Sequence, residues 1–206
     1  MTFPRLSEGQ LDTLKEICNI GMGHAATALS RMIGDRVHLQ VPRITLIDIG
    51  EVPDLIGGAE SVVVGITMQV LGDARGNILL LFPRESAGLL LARLLGEERQ
   101  GGELDEMGIS TLKEVGNILA SAFLGALGEL LRMTLIPSVP LLACDMAGAV
   151  VDGILIELSE TGDFALVVET DFWGDHPKQA PIKGHFLLLP DPHTLDTMLE
   201  AVGGGR

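Results

Sequence analysis

The sequence predicts an α+β fold built around an antiparallel or mixed sheet, and three observations lead to that prediction. Long helical segments are followed by blocks of short apolar strands, without regular alternation of strand and helix. Hydrophobic residues make up 47% of the 206 residues and charged residues 20%, a balance typical of a folded globular chain. The chain also repeats itself, because residues 11–20 align with residues 109–118 and share Thr, Leu, Lys, Glu, Asn and Ile at matching positions.

The first repeat, at about residues 1–100, begins with a long helix. Ser7 is a suitable N-cap, and Gly34 is a suitable C-terminal cap for a helix of about 26 residues. A shorter helix near residues 86–95 closes the repeat. Strands are predicted between the two helices, near residues 38–49, 61–70 and 76–82.

The second repeat, at about residues 101–206, has the same order of elements. A long helix is predicted from about residue 105 to residue 133, and a shorter helix near residues 193–202. The predicted strands lie near residues 135–144, 150–158, 164–170 and 183–189. Because the join between the repeats is short, we expect one domain with a shared core.

Charge and composition exclude several classes of function. The formal net charge is −14, so the basic surface that nucleic-acid binding requires is not expected. No run approaches 18 uncharged apolar residues, and the N-terminus lacks a signal-peptide pattern, so neither a membrane span nor export is predicted. Two cysteines, Cys18 and Cys144, are expected to be reduced, mostly buried thiols of a cytoplasmic protein. The five histidines show no spacing typical of a metal site.

Each long helix carries a narrow polar stripe opposite its apolar face. At about 100° per residue, the stripe residues fall within about 60° of one another. A solvated face that serves solubility would explain one copy. Two copies at identical spacing, each followed 23 residues after the Asn by Pro42 or Pro140, favour a functional surface. The stripes consist of Asp12, Glu16 and Asn19 in the first helix and Ser110, Glu114 and Asn117 in the second.

These residues resemble the signature of the CheC, CheX and FliY family of chemotaxis phosphatases. The signature occurs twice, and residues 19–30 and 117–121 are similar to the first and second long helices of CheC. One departure is His24, where relatives are expected to carry a polar amide. The resemblance covers nearly the whole chain, and its length fits CheC. It implies a pseudo-two-fold fold in which a continuous six-stranded sheet packs with two long and two shorter helices.

The resemblance also implies hydrolysis of the aspartyl phosphate of a CheY-like response regulator. It assigns water positioning to Asn19 and Asn117, and docking against the regulator's lysine to Glu16 and Glu114. A general-base role for Glu is the weaker alternative, because an exposed carboxylate keeps its ordinary basicity. Asp12 and Ser110 are expected to support the sites, and the two prolines to shape the chain. No cofactor of the chain's own is expected, since Mg²⁺ belongs to the partner regulator.

Two further functions stay open at this point. The chain could act as a non-catalytic adaptor that binds a response regulator or CheD, the receptor-modifying deamidase that CheC relatives bind. A flagellar motor component is disfavoured, because FliY carries an additional switch domain for which this sequence has no room.

Overall fold

The computed structural model describes residues 7–34, 36–41, 43–95, 104–157, 164–174 and 182–203. In these residues, helices pack around one antiparallel sheet whose strands differ in length, which confirms the predicted α+β class. A 3-10 turn at Ile49–Glu51 leads into the second helix. The helices are α1 Glu8–Ile33, α2 Val52–Leu55, α3 Arg84–Leu95, α4 Glu106–Leu131, α5 Ala147–Glu157 and α6 Pro192–Gly203.

The sheet has eight strands that occupy six positions in the order β1-β7-β8-β4-β3-β5. β2 also pairs with β7, and β6 also pairs with β3. Each edge position of the sheet is therefore occupied by two consecutive short strands, β1 and β2 at one edge and β5 and β6 at the other. This agrees with the continuous six-stranded sheet that was predicted. The strands are β1 Val37–Gln40, β2 Ile44–Asp48, β3 Val62–Gly72, β4 Gly76–Pro83, β5 Leu135–Pro137, β6 Leu141–Met146, β7 Phe164–Gly174 and β8 Ile182–Pro190.

The pairing interlocks the two halves of the chain. β1 and β2 pair with β7 from the second half, whereas β5 and β6 pair with β3 from the first. β4 and β8 join the halves at the centre of the sheet. Each half therefore supplies the edge strands for the other half's hairpin, and the described strands form a single sheet.

Both long helices have well-defined ends. The Ser7 hydroxyl accepts a hydrogen bond from the Gln10 backbone N–H at 3.3 Å, and Gln10 Oε1 accepts one from the Ser7 N–H at 2.9 Å. This reciprocal pair starts α1, and Gly34 ends it with φ of +75°. Asp105 caps α4 by accepting from the Gly108 N–H at 2.8 Å. The predicted Ser7 and Gly34 boundaries of α1 are confirmed.

Helices cover both faces of the sheet. α1, α3, α4 and α6 enclose the larger core, whereas α2 and α5 enclose a second core on the opposite face. On β4, Ile78, Leu80 and Phe82 face the first core, and Leu79 and Leu81 face the second. A strand segment buried on both faces is apolar at every position, which explains the unbroken apolar run from Ile78 to Phe82 within β4.

The additional strand predicted at residues 150–158 is wrong, because residues 150–157 belong to α5 and residue 158 lies outside the described residues. Val150, Val151 and Ile154 lie on one helical face and are buried in the second core. Gly65 leaves room for them, since a Cβ at that position would lie 2.6 Å from Val150 Cγ1. Packing against the sheet therefore overrides the local strand preference of the valines. Together with α2, this helix adds to the two long and two shorter helices that were predicted.

Among the helices of the described residues, α4 alone has the length and the apolar composition that a membrane-spanning helix requires. It packs against α1 and belongs to the larger core, with half of its most apolar window buried inside the protein. Its apolar character is therefore accounted for by the core.

His185 places a titratable group in the sheet. Its Nδ1 is buried and has no hydrogen-bond partner within the described part of the chain. Burial lowers the pKa of His185; Lys183 acts in the same direction, whereas Glu169 and Asp171 oppose the shift. A neutral histidine is therefore favoured in the folded protein.

We predict that His185 weakens the fold in mild acid. The folded-state pKa of His185 lies below the unfolded value of about 6.5, so protonation of His185 favours the unfolded state. The free energy of unfolding is therefore not reduced by His185 above that pH, and the reduction develops as the pH falls through the folded value. Urea unfolding at several pH values between 7.5 and 5 should show a smaller loss of stability for His185→Leu than for the parent. The exposed His193 provides the control, His193→Leu. An unchanged pH slope in His185→Leu would contradict the prediction.

Candidate functional site

The first predicted site lies on the outward face of α1. Asp12, Glu16 and Asn19 are all exposed. Glu16 and Asn19 are separated by about 4.5 Å along the helix axis, because each residue rises about 1.5 Å. The opposite face is buried in the larger core through Leu14, Ile17 and Cys18. The core therefore fixes the rotation of α1 so that the three polar side chains face solvent.

The second predicted site has the same order on α4, with one difference. Ser110 and Glu114 are exposed, whereas Asn117 is half-buried. The face that includes Leu112, Val115 and Leu119 is buried in the same core. Asn117 is therefore less accessible than the fully exposed position predicted for it, although it is not sealed in the interior.

The two long helices lie side by side on the same face of the sheet. Gly21 of α1 abuts α4, since a Cβ there would lie 3.0 Å from the Phe123 Cα and 3.3 Å from the Ala122 carbonyl oxygen. Both polar stripes point away from the sheet. The helix pair thus presents one Glu/Asn stripe from each half of the chain to solvent.

The side chains of Glu16, Asn19, Glu114 and Asn117 have no hydrogen bond or ion pair to any residue within the described ranges. The carboxylates keep their acceptor oxygens, and the amides keep both donor and acceptor groups. These four groups are consequently available to a partner or to water without first breaking an internal contact.

The two signature prolines follow the long helices. Pro140 is half-buried in the break between β5 and β6. A proline has no backbone N–H to donate to a strand ladder, so it suits this interruption of the edge. Pro42 lies outside the described residues. Pro140 thus lies between two edge strands, and its chain-shaping role stays a prediction.

Metal ligands do not gather at the stripes. Among the residues that the structure describes, no group of three or more His, Cys, Asp or Glu side chains is placed to hold a metal ion. His24 is exposed on α1. The absence of a resident cofactor stays a prediction.

The two thiols have different environments. Cys18 is buried, and burial raises the pKa of its thiol to about 12, so it is a neutral core residue. Cys144 is exposed, contrary to the expectation that both thiols are mostly buried. The reason is that it lies on β6, at the edge of the sheet, where most side chains contact solvent.

One neighbour of the first site is not singled out by the polar pattern. Ile20 follows Asn19 and is 47% exposed. The signal was available in the helical periodicity, which places Ile20 within about 40° of Glu16 on the solvent side. An apolar residue thus lies beside the exposed carboxylate and amide.

Comparison with known proteins places both stripes inside matched segments. The model of the CheC-like family matches residues 10–46 and 107–142. The chain is 36% identical to the CheY-P phosphatase CheC of Bacillus subtilis, over 98% of this chain and 97% of the relative. It is 28% identical to the flagellar motor switch phosphatase FliY of the same organism, over 54% of this chain and 29% of the relative. The crystal structure of Thermotoga maritima FliY has the same fold, with a TM-score of 0.77, 22% identity, and 98% and 100% of the two chains covered.

Proposed function

The chain belongs to the CheC-like family, and we propose from this membership that it is a phosphatase that hydrolyses the aspartyl phosphate of a CheY-like response regulator. The observation that carries the proposal is the pair of Glu/Asn stripes at identical spacing on α1 and α4, in which Glu16, Asn19 and Glu114 are exposed and Asn117 is half-buried. Such a regulator is a cytoplasmic protein, so we place the chain in the cytoplasm as well.

Hydrolysis of the aspartyl phosphate does not require the phosphatase to form a covalent bond with the phosphoryl group. The aspartyl phosphate is a reactive acyl phosphate, and the regulator's own Mg²⁺ neutralises charge on the phosphoryl group. What remains is to hold a water molecule in line with the phosphorus atom. Asn19 and Asn117 suit this task, because an amide can accept from and donate to water while it stays neutral.

The neutrality of the amide matters beside a phosphoryl group. A carboxylate about 4 Å from a phosphoryl charge would add repulsion of about 1 kcal/mol in water and about 4 kcal/mol at the effective dielectric near a protein surface. An aspartate at the same position would orient water with similar geometry but at this cost. Asn19 and Asn117, rather than the neighbouring carboxylates, therefore position the water.

Glu16 and Glu114 take the docking role. Each lies about one helical turn before its Asn and has no partner among the described residues, so its carboxylate can pair with the lysine of the regulator's active site. The ion pair fixes the register of the partner, so the Asn amide points at the phosphoryl group. Asp12 and Ser110 lie one turn earlier and support the edge of each site.

The direct test measures the lifetime of a phosphorylated CheY-like regulator with and without this protein. We expect faster phosphate loss with the parent chain. Glu16→Gln with Glu114→Gln should raise KM about tenfold, because a charge-assisted pair at each site is lost. Glu106→Gln with Glu129→Gln removes two other exposed α4 carboxylates and should leave the rate unchanged. An unchanged regulator lifetime with the parent chain would refute the proposed activity.

A second candidate function is non-catalytic binding of a response regulator or of CheD. The observation that favours it is an exposed apolar sheet edge, where Ile136 is 54%, Val139 82% and Leu141 63% exposed. Several large apolar side chains exposed within one short edge segment are typical of interaction sites. Capture of either partner without any acceleration of phosphate loss would favour this function over the phosphatase.

A further inference from the structure

Ile20 distinguishes the α1 site from the α4 site. It is 47% exposed, whereas the aligned residue Ile118 packs against the larger core. Exposed apolar area costs free energy that contact with a partner's apolar surface recovers. Because Ile20 lies next to Asn19 and one turn after Glu16, any partner seated on those two side chains also covers Ile20.

Gly23 adds a gap beside Ile20. It lies in the interior of α1, where glycine is less favourable than alanine, yet a Cβ at this position would meet nothing within 4 Å. Internal packing therefore does not require a glycine here. Asn19 and Ile20 border the gap on one side, four and three residues earlier, and Thr27 borders it one turn later.

The hydroxyl of Thr27, which borders the gap, is already hydrogen-bonded within α1. It donates to the Gly23 carbonyl oxygen at 3.0 Å. The surface beyond Asn19 consequently offers an apolar side chain beside open space, continuous with the polar pair that holds the regulator. This combination suits an apolar group of the partner.

We propose that the response regulator seats an apolar side chain against Ile20 and over the gap at Gly23, and that this contact belongs to the α1 site alone. The inference rests on the proposed function for the identity of the partner. It makes Ile20 and Gly23 specificity-determining residues, so the two sites recognise the same regulator through different contacts.

The experiment compares two parent proteins with one working site each. Glu114→Gln with Asn117→Ala leaves the α1 site, and Glu16→Gln with Asn19→Ala leaves the α4 site. In the first parent, Ile20→Ala should raise KM about fivefold with kcat retained, since buried apolar area is lost. Gly23→Leu should raise KM about tenfold by filling the gap. Neither change should affect the second parent, and Leu89→Ala, at another exposed apolar residue, should affect neither.

Binding of the regulator loaded with Mg²⁺ and beryllofluoride, measured by calorimetry, separates this inference from the proposed activity. A fivefold weaker affinity of Ile20→Ala in the first parent supports the contact even where no hydrolysis is observed. Unchanged KM and affinity in that parent would overturn it. Equal losses in both parents would also overturn it, because they would indicate a general effect on the fold.

Discussion

Replacement of both Asn19 and Asn117 by alanine should abolish the acceleration of phosphate loss from the regulator. Each single change should leave only the activity of the other site. Loss of a positioned water is expected to lower the rate at the affected site about 100-fold, which is the scale of effect that misplacement of a reacting group produces. The measurement is the decay of the phosphorylated regulator at saturating concentrations of each variant.

Aspartate variants separate charge from shape in the same assay. Asn19→Asp with Asn117→Asp preserves the size of the side chains but brings a negative charge toward the phosphoryl group, so the rate should also fall. Lys15→Ala changes another exposed residue of α1 and should retain full activity. A double alanine variant as active as the parent would reject the role of both amides.

Local sequence signals account for the long helices and for the orientation of their polar faces. Ser7 and Gly34 mark the ends of α1 because a hydroxyl cap and a left-handed glycine act on neighbouring backbone groups. The helical period then separates Leu14 and Ile17 from Glu16, so the outward face of α1 could be predicted without any tertiary information.

Features that depend on distant contacts could not be predicted in this way. In α5, Val150 packs over Gly65, which lies far away in the sequence, and such contacts with the sheet are not visible in the local pattern. Asn117 is half-buried although Asn19 is exposed at the aligned position, so identical local patterns have different tertiary surroundings. Cys144 is exposed because β6 occupies an edge of the sheet, and strand order across two interlocked halves is a property of the whole fold.

Two glycines of α1 should respond to substitution in opposite directions. Gly21 faces α4, and any side chain there would press on the backbone of Phe123. Gly21→Val should therefore lower the free energy of unfolding by about 2 to 3 kcal/mol, the cost of overpacking a tight contact, which exceeds the gain in helix propensity. For a chain of this size the melting temperature should fall by about 5 to 10 °C.

Gly23 provides the matched control two residues further along the same helix. Its Cβ position is open, so Gly23→Ala should raise the free energy of unfolding by about 1 kcal/mol through helix propensity alone, with a melting temperature about 2 to 4 °C higher. Thermal unfolding followed by circular dichroism measures both variants. A Gly21→Val protein as stable as the parent would mean that α1 and α4 do not pack this closely. The outward orientation of Glu16 and Asn19 would then rest on the burial of Leu14, Ile17 and Cys18 in the core alone.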